Sequence, residues 1–236
     1  MKQEIIYGIR PVVEALGSGR RKVFLVIDAV GNDEVAKVAS TRGVEVKRTS
    51  RKRVEDLARG GVHQGVAAHV EPYPYAGLAE ILSSPEPLVL VLDGVTDPRN
   101  LGAVLRAADG AGAGGVVIPK DRAVGVTAAA VKASAGTSEH VRVARVTNLR
   151  RAIDTMKEAG LWVYAAEAGG TPYTELDLAG AVALVLGSEG RGVRRLVREG
   201  CDGTVSVPML GAVESLNVSV ACAVLLYEAR RSRGWP

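Results

Sequence analysis

The sequence predicts an α/β fold in two parts. A small mixed α/β domain occupies residues 1–75, and a larger domain with a parallel sheet flanked by helices occupies 88–236, with a linker at 76–87. Three observations predict this. Short apolar runs such as Val23-Phe-Leu-Val-Ile-Asp28, Leu88-Val-Leu-Val-Leu92 and Ala181-Val-Ala-Leu-Val-Leu186 have the length and composition of buried strands. They alternate with helical patterns, which is the signature of strand-helix-strand units. Two proline-rich stretches, Glu71-Pro-Tyr-Pro-Tyr75 and Ser83-Ser-Pro-Glu-Pro87, separate the parts.

In the first part, residues 8–16 read as a helix with Pro11 in its first turn and Gly17 ending it. Residues 23–28 follow as a strand and 32–42 as a helix stopped by Gly43. Residues 44–47 form a short strand, 54–58 a short helix and 66–70 another strand. This order suggests a mostly parallel sheet. The last strand is preceded by a glycine-flanked polar turn, Gly61-Val-His-Gln-Gly65.

In the second part, strand 88–92 leads into a helix over 101–111, with Asn100 where an N-cap belongs. Gly110-Ala-Gly-Ala-Gly-Gly115 matches the dinucleotide-binding spacing, but it follows a helix and precedes a strand, the reverse of what that motif requires. It is better read as a helix-to-strand turn. Residues 127–135 are helical, 141–146 a strand, 149–159 a helix and 161–165 a strand. A final strand around Val205 runs through a Pro/Gly-punctuated loop into a helix over 216–231, apolar nearly all round and opened by Ser215 as its cap.

Composition narrows the function classes. With 47% hydrophobic and 24% charged residues, the chain has a globular rather than a disordered balance. No secretory signal opens it and no apolar run reaches membrane-spanning length, so the cytoplasm is expected and no membrane partner. Cys201 and Cys222 lack metal-ligand spacing, and no metal is expected. Residues 1–75 hold 13 Lys/Arg against 9 Asp/Glu, while 76–236 hold 17 of each, so the net charge of +4 lies in the first third. Its densest point is Lys47-Arg48-Thr-Ser-Arg51-Lys52-Arg53. Those five cations are candidate RNA-phosphate contacts, with a solvated helix start as the alternative. His63 is a candidate RNA contact, or simply a surface-loop histidine.

Three strand-to-loop junctions carry chemistry. The first, Asp93-Gly-Val-Thr-Asp97-Pro98-Arg-Asn100, leads to Arg106 on the helix face opposite its apolar stripe. The second, Gly187-Ser-Glu189-Gly190-Arg-Gly192, lets backbone approach a ligand closely but lacks the Lys-Ser/Thr pair of a P-loop. The third is Val207-Pro-Met209 through Ser215-Leu216-Asn217. In parallel sheets ligands bind beyond the carboxyl ends of strands.

Together these three junctions resemble the SpoU (TrmH-type) RNA ribose 2′-O-methyltransferases of the SPOUT superfamily. The likeness covers 88–231, and residues 1–75 resemble that family's N-terminal substrate-binding domain, an L30e/L7Ae-like sandwich. The layout is that of members modifying a guanosine of 23S ribosomal RNA. The resemblance implies a trefoil knot in the second domain, a homodimer, and S-adenosyl-L-methionine as cofactor. Leu186, Gly187, Val207, Met209, Ser215 and Leu216 are the expected cofactor contacts. Asn100, Arg106, Glu189, Ser215 and Asn217 are the expected catalytic set. A tRNA 2′-O-methyltransferase and a non-catalytic RNA-binding or ribosome-assembly protein are the alternatives.

Overall fold

A computed structural model describes residues 2–235. In chain order, β1 (Glu4–Tyr7), α1 (Ile9–Ser18), β2 (Val23–Asp28), α2 (Asp33–Thr41), β3 (Val46–Arg48), α3 (Arg51–Ala58) and β4 (Val66–Val70) come first. Then follow α4 (Leu78–Ile81), β5 (Leu88–Asp93), α5 (Pro98–Gly110), β6 (Gly115–Pro119) and α6 (Ala128–Ala133), and after a 3₁₀ turn β7 (Val143–Val146) and α7 (Leu149–Glu158). The chain closes with β8 (Trp162–Pro172), β9 (Val182–Gly187), α8 (Arg195–Arg198), β10 (Gly203–Ser206) and α9 (Val218–Ser232). Two compact units result, one of residues 1–74 with 126–140, the other of 75–125 with 141–236. The segment 126–140 thus groups with the first unit, although in sequence it lies inside the second part.

The first unit has a four-stranded sheet in the order β1-β4-β2-β3. Only β2 and β3 are parallel; β4 runs antiparallel to both β1 and β2. The mostly parallel sheet expected from the alternation is therefore corrected to a mixed one. The cause is β4, which runs antiparallel to β2 as well as to β1, the latter a strand of four residues too short to show a period. Asp28 ends β2, and its carboxylate accepts hydrogen bonds from the backbone N–H of Val30, Gly31 and Asn32 at 2.8–2.9 Å. That anchors the turn into α2, which Asn32 caps. The segment 126–140 is fastened by a buried pair: Arg21 Nη2 donates to Glu139 Oε1 at 2.5 Å and Nε to Oε2 at 3.2 Å. Such a pair persists in low dielectric because both groups are otherwise hydrogen-bonded or shielded; breaking one side leaves a bare charge.

The second unit is a six-stranded, wholly parallel sheet in the order β10-β8-β9-β5-β6-β7. The central strand β5 is buried along its whole length, as a parallel strand covered on both faces must be. On one side α7 buries Leu149, Ala152, Ile153 and Met156 against Val89, Val91, Val163 and Val185. Helix α9 packs against α5 and β9. Gly110-Gly115 is, as read, a helix-to-strand turn between α5 and β6.

Two helix starts differ from expectation. The cap of α5 is Asp97, whose side chain accepts from Arg99 N, so Asn100 lies in the first turn instead. The cap of α9 is Asn217, which accepts from Ser219 N, and Ser215 lies outside the helix. In each case an earlier or later acceptor outcompetes the residue picked by spacing alone. The last helix is also less enclosed than its composition suggests. Cys222, Leu225, Leu226 and Ala229 are buried, while Val220 and Tyr227 are exposed, as is Trp235 beyond its end.

Candidate active site

The site is assembled from strand ends. At the carboxyl end of β9 the chain turns back on itself: Gly192 N donates to Ser188 O at 3.0 Å, with Gly190 and Gly192 both at positive φ. The turn lies so close over Gly187 that a Cβ there would sit 1.9 Å from Gly192 C and 2.2 Å from Val193 N. Only glycine fits. The far end of the turn is pinned to β5, where Asp93, fully buried, accepts from Arg194 Nε at 2.7 Å and from Arg194 N at 2.8 Å.

This turn holds Glu189 over the start of two helices. Its Oε1 accepts from Asn100 Nδ2 at 2.8 Å and from Asn217 Nδ2 at 2.6 Å, and Asn217 Nδ2 also reaches Asn100 Oδ1 at 3.2 Å. Asn217 Oδ1 meanwhile caps α9 through Ser219 N and Oγ. Three residues from three separate junctions therefore form one hydrogen-bonded cluster, and the second oxygen of Glu189 has no partner among the described residues. A carboxylate so placed offers a hydrogen-bond acceptor and negative charge to whatever lies beside it.

Beside it is a cavity of about 430 Å³, within the range of small-molecule sites. Leu186, Gly187, Val207, Met209, Ser215 and Leu216 all line it. Its apolar wall comes from Val205, Val218, Ala221 and Leu225. Glu167, Ala166 and Ala168 line it too and were not foreseen. They belong to a stretch where β8 breaks register with β10: Ala165 pairs with Thr204, but Val205 pairs with Thr171. The five intervening residues bow away and widen the site. The Gly169-Gly170 pair inside a strand pattern is the signal that could have found this bulge.

Arg106 is not part of the cluster. It is exposed and forms no ion pair or side-chain hydrogen bond among the described residues. Six residues after Asn100, it lies about 9 Å further along α5 and on another face. In the first unit, Lys47, Arg48, Arg51, Lys52 and Arg53 are all exposed. Arg48 is held by Asp28 at 3.1 Å. The reading of His63 as a surface residue is corrected: it is 4% exposed. Its Nδ1 accepts from Gly65 N at 3.0 Å, so Nε2 carries the proton toward Glu55 Oε2 at 2.8 Å. It braces the turn before β4 with both ring nitrogens engaged. Among the described residues no His/Cys/Asp/Glu group could hold a metal ion, and no helix is long and apolar enough to cross a membrane.

Comparison with known proteins decides what this arrangement belongs to. Residues 87–227 match the model of the SpoU rRNA Methylase family, and residues 5–76 match that of RNA 2′-O ribose methyltransferase substrate binding. The chain belongs to the SpoU rRNA methylase family. It is 44% identical over 244 residues to the 23S rRNA (guanosine-2′-O-)-methyltransferase RlmB of Vibrio cholerae, covering 99% of this chain and 98% of that protein. It is 43% identical over 242 residues to an uncharacterized tRNA/rRNA methyltransferase of Mycolicibacterium vanbaalenii, covering 98% of this chain and 77% of that one. Among solved structures, the SpoU methyltransferase AviRb from Streptomyces viridochromogenes in complex with the cofactor AdoMet superposes with a TM-score of 0.86, at 25% identity, covering 98% and 90% of the two chains.

A SpoU methylase uses S-adenosylmethionine, and the residues of the cavity fit it. Leu186, Val205, Val218 and Leu225 give an apolar wall for a nucleobase, Gly187 lets the turn of residues 188–192 close on the strand end, and Glu189 and Glu214 bring carboxylates to the lining, while Glu167 is paired with Arg198 at 2.5 Å.

Proposed function

We propose that this SpoU methylase transfers a methyl group to the ribose 2′-oxygen of a guanosine of 23S ribosomal RNA, working in the cytoplasm as a homodimer. The observation that carries the proposal is the joining of Asn100, Glu189 and Asn217 at the edge of the cavity lined by the expected cofactor residues.

When bound, the cofactor supplies an electrophilic methyl group on a sulfonium. The rest falls to the protein. Leu186, Gly187, Val207, Met209 and Leu216 hold the cofactor, with Ser215 at the opening. Asn100 and Asn217, locked by Glu189, fix the helix starts that shape the ribose position, so that the 2′-oxygen lies in line with the methyl group. Such positioning supplies much of the rate of a two-substrate reaction. Arg106, without a side-chain partner among the described residues, grips an RNA phosphate and stabilises the negative charge growing on the 2′-oxygen as its proton passes to water. A guanidinium stays protonated in proteins and does not serve as the base.

Residues 1–75 bind the RNA in this reading, through the exposed cations of β3 and α3. The dimer is supported by Val220, Tyr227 and Trp235, apolar and exposed along and beyond the last helix. The trefoil knot is supported by the return of α9 from the edge strand β10 to pack on α5 and β9.

The test is methyl transfer from labelled cofactor to 23S, 16S and tRNA transcripts, with mapping of the 2′-O-methyl position. Transfer to a 23S guanosine is expected. Transfer to tRNA alone would overturn the choice of substrate, and cofactor binding without transfer to any RNA would favour the non-catalytic reading. Sedimentation equilibrium tests the dimer.

A further inference from the structure

The first unit holds a second concavity, of about 400 Å³, on the sheet face beside α3. Register explains why it exists. His69 of β4 pairs with Leu25 of β2, and Lys47 of β3 pairs with Ile27, so all four side chains rise from the same face. Helix α3 covers only part of that face, setting Val54 and Ala58 against Tyr7, Ile27 and Ala67. Beyond Leu57 the face is left open. The result is an apolar floor of Leu25, Ile27 and Leu57, an imidazole on one wall, and Lys47 and Arg53 on the other.

The two cations differ from their neighbour Arg48. Arg48 beside them is held by Asp28, but Lys47 and Arg53 form no ion pair or side-chain hydrogen bond among the described residues. Arg53 also stands with Arg51 and Lys52 in the first turn of α3, where the helix dipole opposes positive charge. Folding gains nothing from cations there, whereas an anionic ligand would.

An apolar concavity walled by an imidazole ring and edged by cations with no ion pair among the described residues matches an unpaired nucleotide, which has a stacking face and a phosphate on each side. We infer that this concavity takes one unpaired base of the substrate RNA, packed on Leu25 and Ile27 and stacked on His69, with its flanking phosphates on Lys47 and Arg53. The inference rests on the RNA-methyltransferase reading and adds to it a second contact, within the first unit, that selects single-stranded rather than helical RNA.

The test titrates the full-length protein into a ten-nucleotide single-stranded RNA carrying one 2-aminopurine, reading emission and anisotropy at several salt concentrations. The variants are Lys47→Ala/Arg53→Ala and His69→Ala, with melting curves and S-adenosylmethionine affinity as controls of folding. His69→Ala is expected to weaken binding about tenfold and to abolish the emission change, since stacking is lost. Lys47→Ala/Arg53→Ala is expected to lower the salt slope by about two, one for each phosphate contact. Cofactor affinity should not move in either. Wild-type affinity, emission and salt slope in both folded variants would overturn the pocket and leave methyl transfer standing. Binding and emission changes as described, in a protein that transfers no methyl group to any RNA, would support the pocket while refuting the methyltransferase reading.

Discussion

Replacing Gly187 with alanine tests the site at its tightest point. The added Cβ would meet Gly192 C at 1.9 Å, Gly192 O at 2.1 Å and Val193 N at 2.2 Å, all backbone atoms. Ordinary contact needs at least about 1.5 Å more, and no side chain is there to swing aside. The turn cannot yield freely, because Ser188 and Gly192 are hydrogen-bonded at one end and Arg194 is clamped to Asp93 at the other. Overpacking of this kind costs about 1–3 kcal/mol; at 2 kcal/mol the melting temperature of a chain this size falls by about 4–8 °C. The functional effect should be larger. Displacing the turn carries Glu189 away from Asn100 and Asn217 and distorts the cofactor wall, and a misplacement of about 1 Å can cost about 100-fold in rate. Calorimetric titration with S-adenosylmethionine, thermal melting and methyl transfer measure the three effects. Gly180→Ala is the control, since nothing lies within 4 Å of its Cβ position. If Gly187→Ala matched Gly180→Ala in cofactor affinity and melting, the account of the turn would be wrong.

Other expected outcomes follow from named contacts. Asp93→Asn removes a buried charge from Arg194; because Arg194 is half exposed and water can take it over, the loss is about 2 kcal/mol rather than the 3–5 kcal/mol of a fully buried pair, measurable by urea unfolding. Arg106→Ala should leave stability unchanged, since the side chain has no partner among the described residues, while lowering methyl transfer about 100-fold; Arg106→Lys retaining near-full turnover at unchanged RNA affinity would refute a guanidinium-specific role. Burial alone would raise the Asp28 pKa, but the N–H groups of Val30, Gly31 and Asn32 and the charge of Arg48 outweigh it and hold the carboxyl below its usual 3.8. A lowered folded pKa means a stabilisation present above the unfolded value and lost as pH falls through the folded one, so the acid limb of unfolding below about pH 4 should flatten in Asp28→Asn. Burial pushes the Cys201 and Cys222 thiols up to about 11 and about 12, so neither should react with a thiol reagent at pH 8 until the chain unfolds.

Much of the second unit was legible because buried parallel strands announce themselves. β5 and β9 are unbroken apolar runs, and their positions were read to within a residue. β1 was not legible, being four residues with no period, and the first sheet is mixed because β4 runs antiparallel to both β1 and β2. The full extent of β8 was hidden because Glu167 to Gly170 break the apolar pattern just where the strand bows outward. His63 differs for a related reason: the glycines around it suggest exposure, but Gly65 and Glu55 supply hydrogen bonds that allow burial.

By itself the sequence determined the local grammar: where strands are buried on both faces, which glycines must follow them, and which polar residues stand at the ends. Those are properties of neighbouring residues, and short-range sterics and hydrophobic periodicity suffice to read them. Only the tertiary structure decided what the polar residues do together. Asn100, Glu189 and Asn217 lie 28 to 117 residues apart and meet because parallel strands bring their carboxyl ends to one edge. The same ordering left Arg106 outside that cluster, facing solvent, since a helix carries residues six apart to different heights and faces whatever their proximity in sequence.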